Sequence, residues 1–324
     1  MSPALRAFLH GLIDYAGLFP PARLDLDPAL HHYARYRQSA DAWMLSRFII
    51  PAPRLGELDA YAARFAEPPP FVFSILGHPA DGDLFGAMRQ TLADARAFEV
   101  RHAGNVAADL FEFKLPTHIT EDASALGELF EAADEGLRLR AGEPAHGFFE
   151  VPLLGDDWRC GVDTVADVAA AHNANAGRPS VGLKLRCGGV TPDAFPTPEA
   201  LACAIAACHE AGVPFKATAG LHHPVRHYAD EVGAMMHGFL NVFGAAILTR
   251  AHALDRATIE RMLLDEQPDH FIFDDDCFRW TDLGVMPDEI AEARSQFATS
   301  YGSCSFIEPR EDLQALGLLD AVAV

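Results

Sequence analysis

Short apolar runs recur along the chain, separated by polar stretches with helical patterning. They begin at Leu12 (LIDYAGLF), Trp43 (WMLSRFII), Phe71 (FVFSIL), Ala108 (ADLFEFKL), Gly147 (GFFEVPLL), Val181 (VGLKLR) and Val213 (VPFKATAG). Their start-to-start intervals, 28 to 39 residues, each hold one strand, one helix and two short connections. The stretches between them, such as DASALGELFEAADEGLRLR and TPEALACAIAACHEAG, carry their apolar residues at helical spacing. In the second of these, Thr197 followed by Pro198 reads as an N-cap with proline in the first helical position, and Gly212 as the stop. Strands alternating with helices predict a parallel sheet.

Seven such units are clear, and an eighth would close a (β/α)8 TIM barrel. Two segments compete for the eighth strand. HGFLNVFGAAIL (237–248) is apolar, but Phe239, Val242, Phe243, Ala246 and Ile247 fall at helical spacing. HFIFDDDCFRW (270–280) is aromatic-rich and runs into acids, and is the favoured strand. No linker or charge block divides the chain. The reading is therefore one α/β barrel domain over residues 1–300, with a C-terminal extension, 301–324, packed on it. An open doubly wound sheet is the competing fold, and it would lack the even succession of units.

Charge narrows the partners. Lys and Arg number 25 against 46 Asp and Glu, a formal net charge of −21 with a pI near 5.0. That excess repels phosphate backbones and anionic bilayers, so neither nucleic acid nor membrane is expected as a partner. No window approaches the roughly 18 apolar residues of a membrane helix. Arg6, His10 and Asp14 break up the opening segment as a signal peptide. The six cysteines form no C-x-x-C pair and read as reduced thiols, which suits a cytoplasmic protein. A homodimer is the default expectation for assembly.

The chemistry is expected where the strands end. In a (β/α)8 barrel the active site lies at the C-terminal ends of the strands, and residues two apart share a face. Glu112 and Lys114 then share one face, with Phe111 and Phe113 on the other. Glu150 lies with Phe148, Lys184 and Arg186 lie with Gly182, and Lys216 lies with Pro214 and Thr218. Arg47 closes the second run in the same way. Buried unpaired charges cost several kcal/mol, so these groups must be compensated, either as a purely structural ion-pair network or as a catalytic floor. Arg47, Lys114, Lys184, Arg186 and Lys216 against Glu112 and Glu150 make a cationic pocket, suited to a small anionic substrate.

Two lysines on neighbouring strands suggest covalent chemistry. An amine whose pKa is lowered by desolvation or a nearby cation can form a Schiff base with a carbonyl, and a glutamate within reach can relay the proton. Lys184 and Lys216 between them would supply the nucleophile and the perturbing cation, in either order, and Glu112 and Glu150 the proton carriers. Arg47, Lys114, Arg186, His222, His223 and Asp14 would bind substrate around them, with no cofactor required.

The order LKLRCGG then FKATAGL resembles the deoxyribose-phosphate aldolase type of class I aldolase. The likeness covers about residues 180–220, with VFGAA (242–246) matching that family's phosphate-binding glycine turn. It implies a Schiff-base lysine on strand six, Lys184, with a second lysine on strand seven, Lys216, and an assisting acid on strand four, Glu112. KATAG equally matches the nucleophile's own motif, which would exchange the two lysines. Leu185 and Arg186 stand where the family has small hydroxylated residues, and Ala246 lacks a hydroxyl.

Two other readings stand beside this one. Glu150, His222, His223 and Asp274 could hold a divalent metal such as Mg or Mn in a hydrolase or isomerase, although no metal-binding spacing is present. Alternatively the charges position a small carboxylate in a non-catalytic binding protein. Cys187, beside Arg186, is a weaker candidate thiolate, and the tail motif Gly302-Ser303-Cys304-Ser305 has no base assigned to it.

Overall fold

The computed structural model describes residues 1–66, 68–138, 145–155 and 158–320. Eight parallel strands close into a barrel: β1 (Ile13–Tyr15), β2 (Leu45–Pro51), β3 (Phe71–Leu76), β4 (Val106–Lys114), β5 (His146–Val151), β6 (Val181–Arg186), β7 (Phe215–Thr218) and β8 (Ala298–Ser303). Each pairs with its sequence neighbour, and β8 closes the ring between β7 and β1. The first seven are the apolar runs of the sequence.

The eighth strand is neither of the two segments expected. Residues Phe239–His252 form a helix that is buried almost throughout. Gly244, in its middle, packs against Met262 and Phe278, where any Cβ would collide. VFGAA is thus helix interior and not a phosphate-binding turn. Residues 271–285 form a three-stranded antiparallel sheet outside the barrel, which lays Phe273 and Phe278 edge-on against Phe8. The true β8 reads ATSYGS. Its Ser300 hydroxyl turns inward to Asp14, and Gly302 leaves room for Ile49 on β2. A strand with polar and small inward residues shows no apolar run.

Most of the apolar core lies between strands and helices. Phe48, Phe73, Phe98, Phe111, Phe130, Phe149 and Phe215 are fully buried there, each contributing about 1.5–3 kcal/mol of transfer free energy. The helix Pro198–Ala211 begins as expected: Thr197 Oγ1 accepts from the Ala200 N–H, and Gly212 ends it in the left-handed conformation at φ 66°. Inside the barrel, toward its N-terminal end, Phe148 fills the space left by Gly182 beside the Arg47–Asp14 pair. Above it lies a layer of buried lysines and glutamates.

Beyond β8 the helix Ile307–Ala315 packs at the C-terminal end of the barrel, and residues 321–324 of the extension lie outside the described residues. Among the described residues no helix is long and apolar enough to cross a membrane.

Candidate active site

Strand register brings five ionisable groups into one buried line. Lys184 on β6 is the register partner of Glu150 on β5 and of Lys216 on β7. Glu112 on β4 reaches both lysines across the barrel, and Asp14 on β1 reaches Lys216 from the far side. Lys216 Nζ donates to Asp14 Oδ2 at 2.9 Å and to Glu112 Oε1 at 2.6 Å. Lys184 Nζ lies 2.8 Å from Glu112 Oε2 and 2.9 Å from Glu150 Oε2. Acid and base therefore alternate: Asp14, Lys216, Glu112, Lys184, Glu150. Two hydroxyls complete the set. Ser74 donates to Glu112 Oε1 at 2.6 Å, and Ser300 to Asp14 Oδ2 at 2.7 Å.

All five groups are buried, Lys216 and Asp14 completely. Removing charges from water on this scale is tolerable only because each has opposite neighbours at hydrogen-bond distance. Burial pushes the Glu112 carboxyl up, but Lys184 and Lys216 on either side more than offset that and hold it well below its ordinary range. Asp14, between Lys216 and Arg47, is lowered in the same way, as is Glu150 beside Lys184. Burial acts to lower the Lys184 amine, yet Glu112 and Glu150 outweigh it and raise its pKa above the ordinary value. The expected depression of this amine by its neighbouring lysine is thus reversed, because Glu112 stands between the two ammonium groups.

A cavity of about 180 Å³ opens above this line at the C-terminal mouth. Glu112 and Lys184 form its floor, Arg186, His222 and Cys304 part of its wall, and Ile49 and Leu76 its apolar side. It is smaller than the 300–1,000 Å³ of drug-sized sites and suits a compound of a few carbons. Lys216 and Asp14 do not line it.

Other expected site residues are distributed differently. Arg47 lies near the start of β2, at the opposite end of the barrel, where its Nε and Nη2 donate to Asp109 at 2.6 and 2.8 Å and its Nη1 stands 3.5 Å from Asp14. It cannot grip a substrate at the C-terminal mouth. Lys114 and Arg186 sit at the exposed ends of their strands; Arg186 lines the cavity and stands 3.8 Å from Glu150, whereas Lys114 lines no wall of it. The pocket is consequently not cationic: its floor alternates in sign. His223 turns away to Asp312, 2.5 Å from Nδ1. Cys187 is buried, and burial pushes its thiol up to about 12, so it is no thiolate.

The four residues considered as metal ligands are kept apart. Asp274 pairs with Arg279 at 2.7 Å, His222 with Glu308, His223 with Asp312 and Glu150 with Lys184. Among the described residues no group of three or more His, Cys, Asp or Glu is placed to hold a metal ion.

Sequence reasoning missed Ser74, Ser300 and Glu308, and left Cys304 without a base. The C-terminal helix sets Glu308 Oε2 3.0 Å from His222 Nδ1, with Cys304 Sγ at 3.7 Å from the same nitrogen. Burial works against charge on His222, but its bonds to Cys304 and Glu308 prevail and raise it to about 10. The Gly302-Ser303-Cys304-Ser305 motif was visible; its base lies more than 80 residues away along the chain.

No family model and no curated protein matches the chain. Among solved structures, a chitinase from Chromobacterium violaceum ATCC 12472 is similar at 8% identity over 79% of this chain and 100% of that one, with a TM-score of 0.39. At that level the overlap says nothing about the chemistry of either molecule. The (β/α)8 architecture follows from the strand order alone.

Proposed function

We propose that the protein is a lyase of the aldolase kind, which forms or cleaves a carbon–carbon bond in a small anionic carbonyl compound through an imine on Lys184. The observation that carries this reading is the asymmetry of the two lysines. Both belong to one buried ion-pair line, but Lys184 lines the cavity and Lys216 is sealed beneath it. The line has Lys184 on strand six, Lys216 on strand seven and Glu112 on strand four, the placement that the aldolase resemblance implies.

The raised pKa of Lys184 is compatible with this chemistry, because an iminium carries the same positive charge as the ammonium it replaces. The carboxylates that stabilise one stabilise the other, and the neutral amine is needed only in passing. The resting ammonium gives a proton to Glu150 or Glu112, and the freed amine attacks the carbonyl carbon. The carbinolamine takes a proton back and loses water to give the iminium. Glu150 or Glu112 takes the proton of the hydroxyl on the β-carbon, and that oxygen closes to a carbonyl as the bond between the α- and β-carbons breaks. The carbonyl fragment leaves, and the electron pair passes into the iminium to give an enamine. Protonation at carbon, addition of water and release of product restore the amine. Arg186, exposed on the rim, is placed to meet the anionic group of the substrate, and His222, held charged, to supply or accept a proton at the mouth.

A second reading rests on the same raised pKa. Lys184 stays an ammonium throughout, polarises the carbonyl without a covalent bond, and Glu150 moves a proton at the neighbouring carbon. Borohydride separates the two. Incubating the protein with a panel of small aldehydes and 2-oxo acids, then reducing, should add the mass of one reduced carbonyl compound per chain for at least one member. Turnover of a panel member with no reducible adduct would point to the non-covalent alternative.

A further inference from the structure

The opposite end of the barrel holds a larger cavity, of about 630 Å³, bounded by the N-terminal ends of the strands, the first helix (Pro3–Leu9) and the helix Pro287–Gln296. Its lining residues include Arg6, His10, Arg47, His146 and Arg294, and no Asp or Glu. In a protein of net charge −21 that is an unusual wall.

The cations are not equivalent. Arg47 is already neutralised by Asp14 and Asp109. Arg294 has Asp14 only as a charge beyond ion-pair distance: 6% exposed, it spends its N–H groups on backbone carbonyls, Nε on Ala298 at 2.8 Å, Nη1 on Phe8 at 2.7 Å, and Nη2 on His10 and Thr299. Among the described residues it has no ion pair. Arg6 stacks its guanidinium 4.8 Å over the Trp43 ring and likewise forms no ion pair with a described residue. Carbonyl dipoles satisfy hydrogen bonds but leave a net charge. A buried guanidinium with no counter-anion in contact normally costs several kcal/mol. Between the cations the wall is apolar, from Pro3, Ala7, Leu110, Phe148 and Pro214.

We propose that this N-terminal cavity is a second binding site, for an organic anion that combines one carboxylate or phosphate group with a compact apolar body. The acid group is bound by the exposed Arg6 guanidinium within the field of the buried Arg294, and the apolar body lies against Phe148 and the prolines. The site is independent of the imine chemistry, and its ligand need not be a substrate.

Calorimetric titration of the intact protein with benzoate, phenylacetate, isovalerate and phenyl phosphate, each beside its uncharged amide or alcohol, tests this. At least one acid should bind saturably, and its neutral counterpart at least tenfold more weakly. Arg6→Gln, on an exposed side chain that leaves the fold intact, should weaken binding about tenfold or more, and Arg6→Lys should recover part of the loss. Lys184→Arg, at the other mouth, should leave the affinity unchanged whether or not the imine proposal holds. The proposal is overturned if none of the four acids binds, if the neutral compounds bind equally well, or if Lys184→Arg abolishes binding while Arg6→Gln spares it.

Discussion

The two mouths of the barrel handle charge in opposite ways. At the C-terminal mouth every buried ion is flanked by its opposite, the cavity is small, and Lys184 alone of the two buried lysines meets it. At the N-terminal mouth the cavity is more than three times larger, but Arg6 and Arg294, which form no ion pair among the described residues, face solvent and backbone respectively. Size is therefore a poor guide to chemistry. Proton transfer and imine formation need donors and acceptors already in contact, which the smaller site supplies. A cation with no anion in contact, set in a roomy and mostly apolar wall, suits binding.

Substitutions at the C-terminal mouth should sharpen this contrast most. Lys184→Arg keeps the charge between Glu112 and Glu150 but removes the nucleophile; it should lower turnover at least 10³-fold with little loss of stability, measured by steady-state kinetics beside thermal melting. Retained activity would turn the account toward the non-covalent alternative.

Lys216→Met is the next largest effect, and it falls on stability. It leaves Asp14 and Glu112 buried without their shared cation, and should cost about 3–5 kcal/mol by urea denaturation. Asp14→Asn in the same chain should recover part of that loss, since removing both partners is milder than removing one. A Lys216→Met protein as stable as the parent would mean that the ionic line does not hold the barrel together.

The pH dependence follows from the directions of the shifts. Glu112 and Asp14 are lowered in the folded state, so their contribution is complete above their ordinary values of 4.5 and 3.8 and is lost as pH falls through the folded values. Lys184 is raised, so its contribution is complete below its ordinary value of 10.5 and is lost as pH rises through the folded value. Stability should show a plateau between these limits. Within it the rate of imine formation should climb with pH, by up to about tenfold per unit, because the neutral amine is the scarce species. A rate that falls with pH over the neutral range would contradict Lys184 as the attacking group.

The smallest effect belongs to the surface. Arg54 and Glu57 pair at 2.8 Å on the surface, with 33% and 50% of their side chains exposed, so Arg54→Ala should change stability by less than about 0.5 kcal/mol. A loss comparable with that of Lys216→Met would remove the distinction between buried and exposed pairs on which the comparison rests.

Much of this was legible in the sequence, for physical reasons that also explain what was not. Seven strands announce themselves because their outward faces are buried by helices and must be apolar. β8 does not, since Ser300 and Gly302 serve the ionic interior and Tyr301 is the sole large apolar-bodied residue beside Ala298, Thr299 and Ser303. Alternation correctly places Glu112, Lys184 and Lys216 on the inner face, because a period of two is fixed by the pleat. It does not say at which end of a strand a residue sits. Residues 42–44 form a 3₁₀ turn, so β2 starts at Leu45 and Arg47 falls near its beginning. Lys114, at the other extreme, runs past the floor into solvent. Glu308 was out of reach, because only the packing of the last helix brings it to His222.

The central claim concerns which amine reacts. Peptide mapping of the borohydride-reduced adduct, formed with whichever 2-oxo acid or aldehyde gives the highest yield, locates the modified side chain directly. The account predicts a single modified residue, Lys184, with Lys216 untouched and no adduct in Lys184→Arg. An adduct on Lys216, or one that persists undiminished in Lys184→Arg, would contradict it.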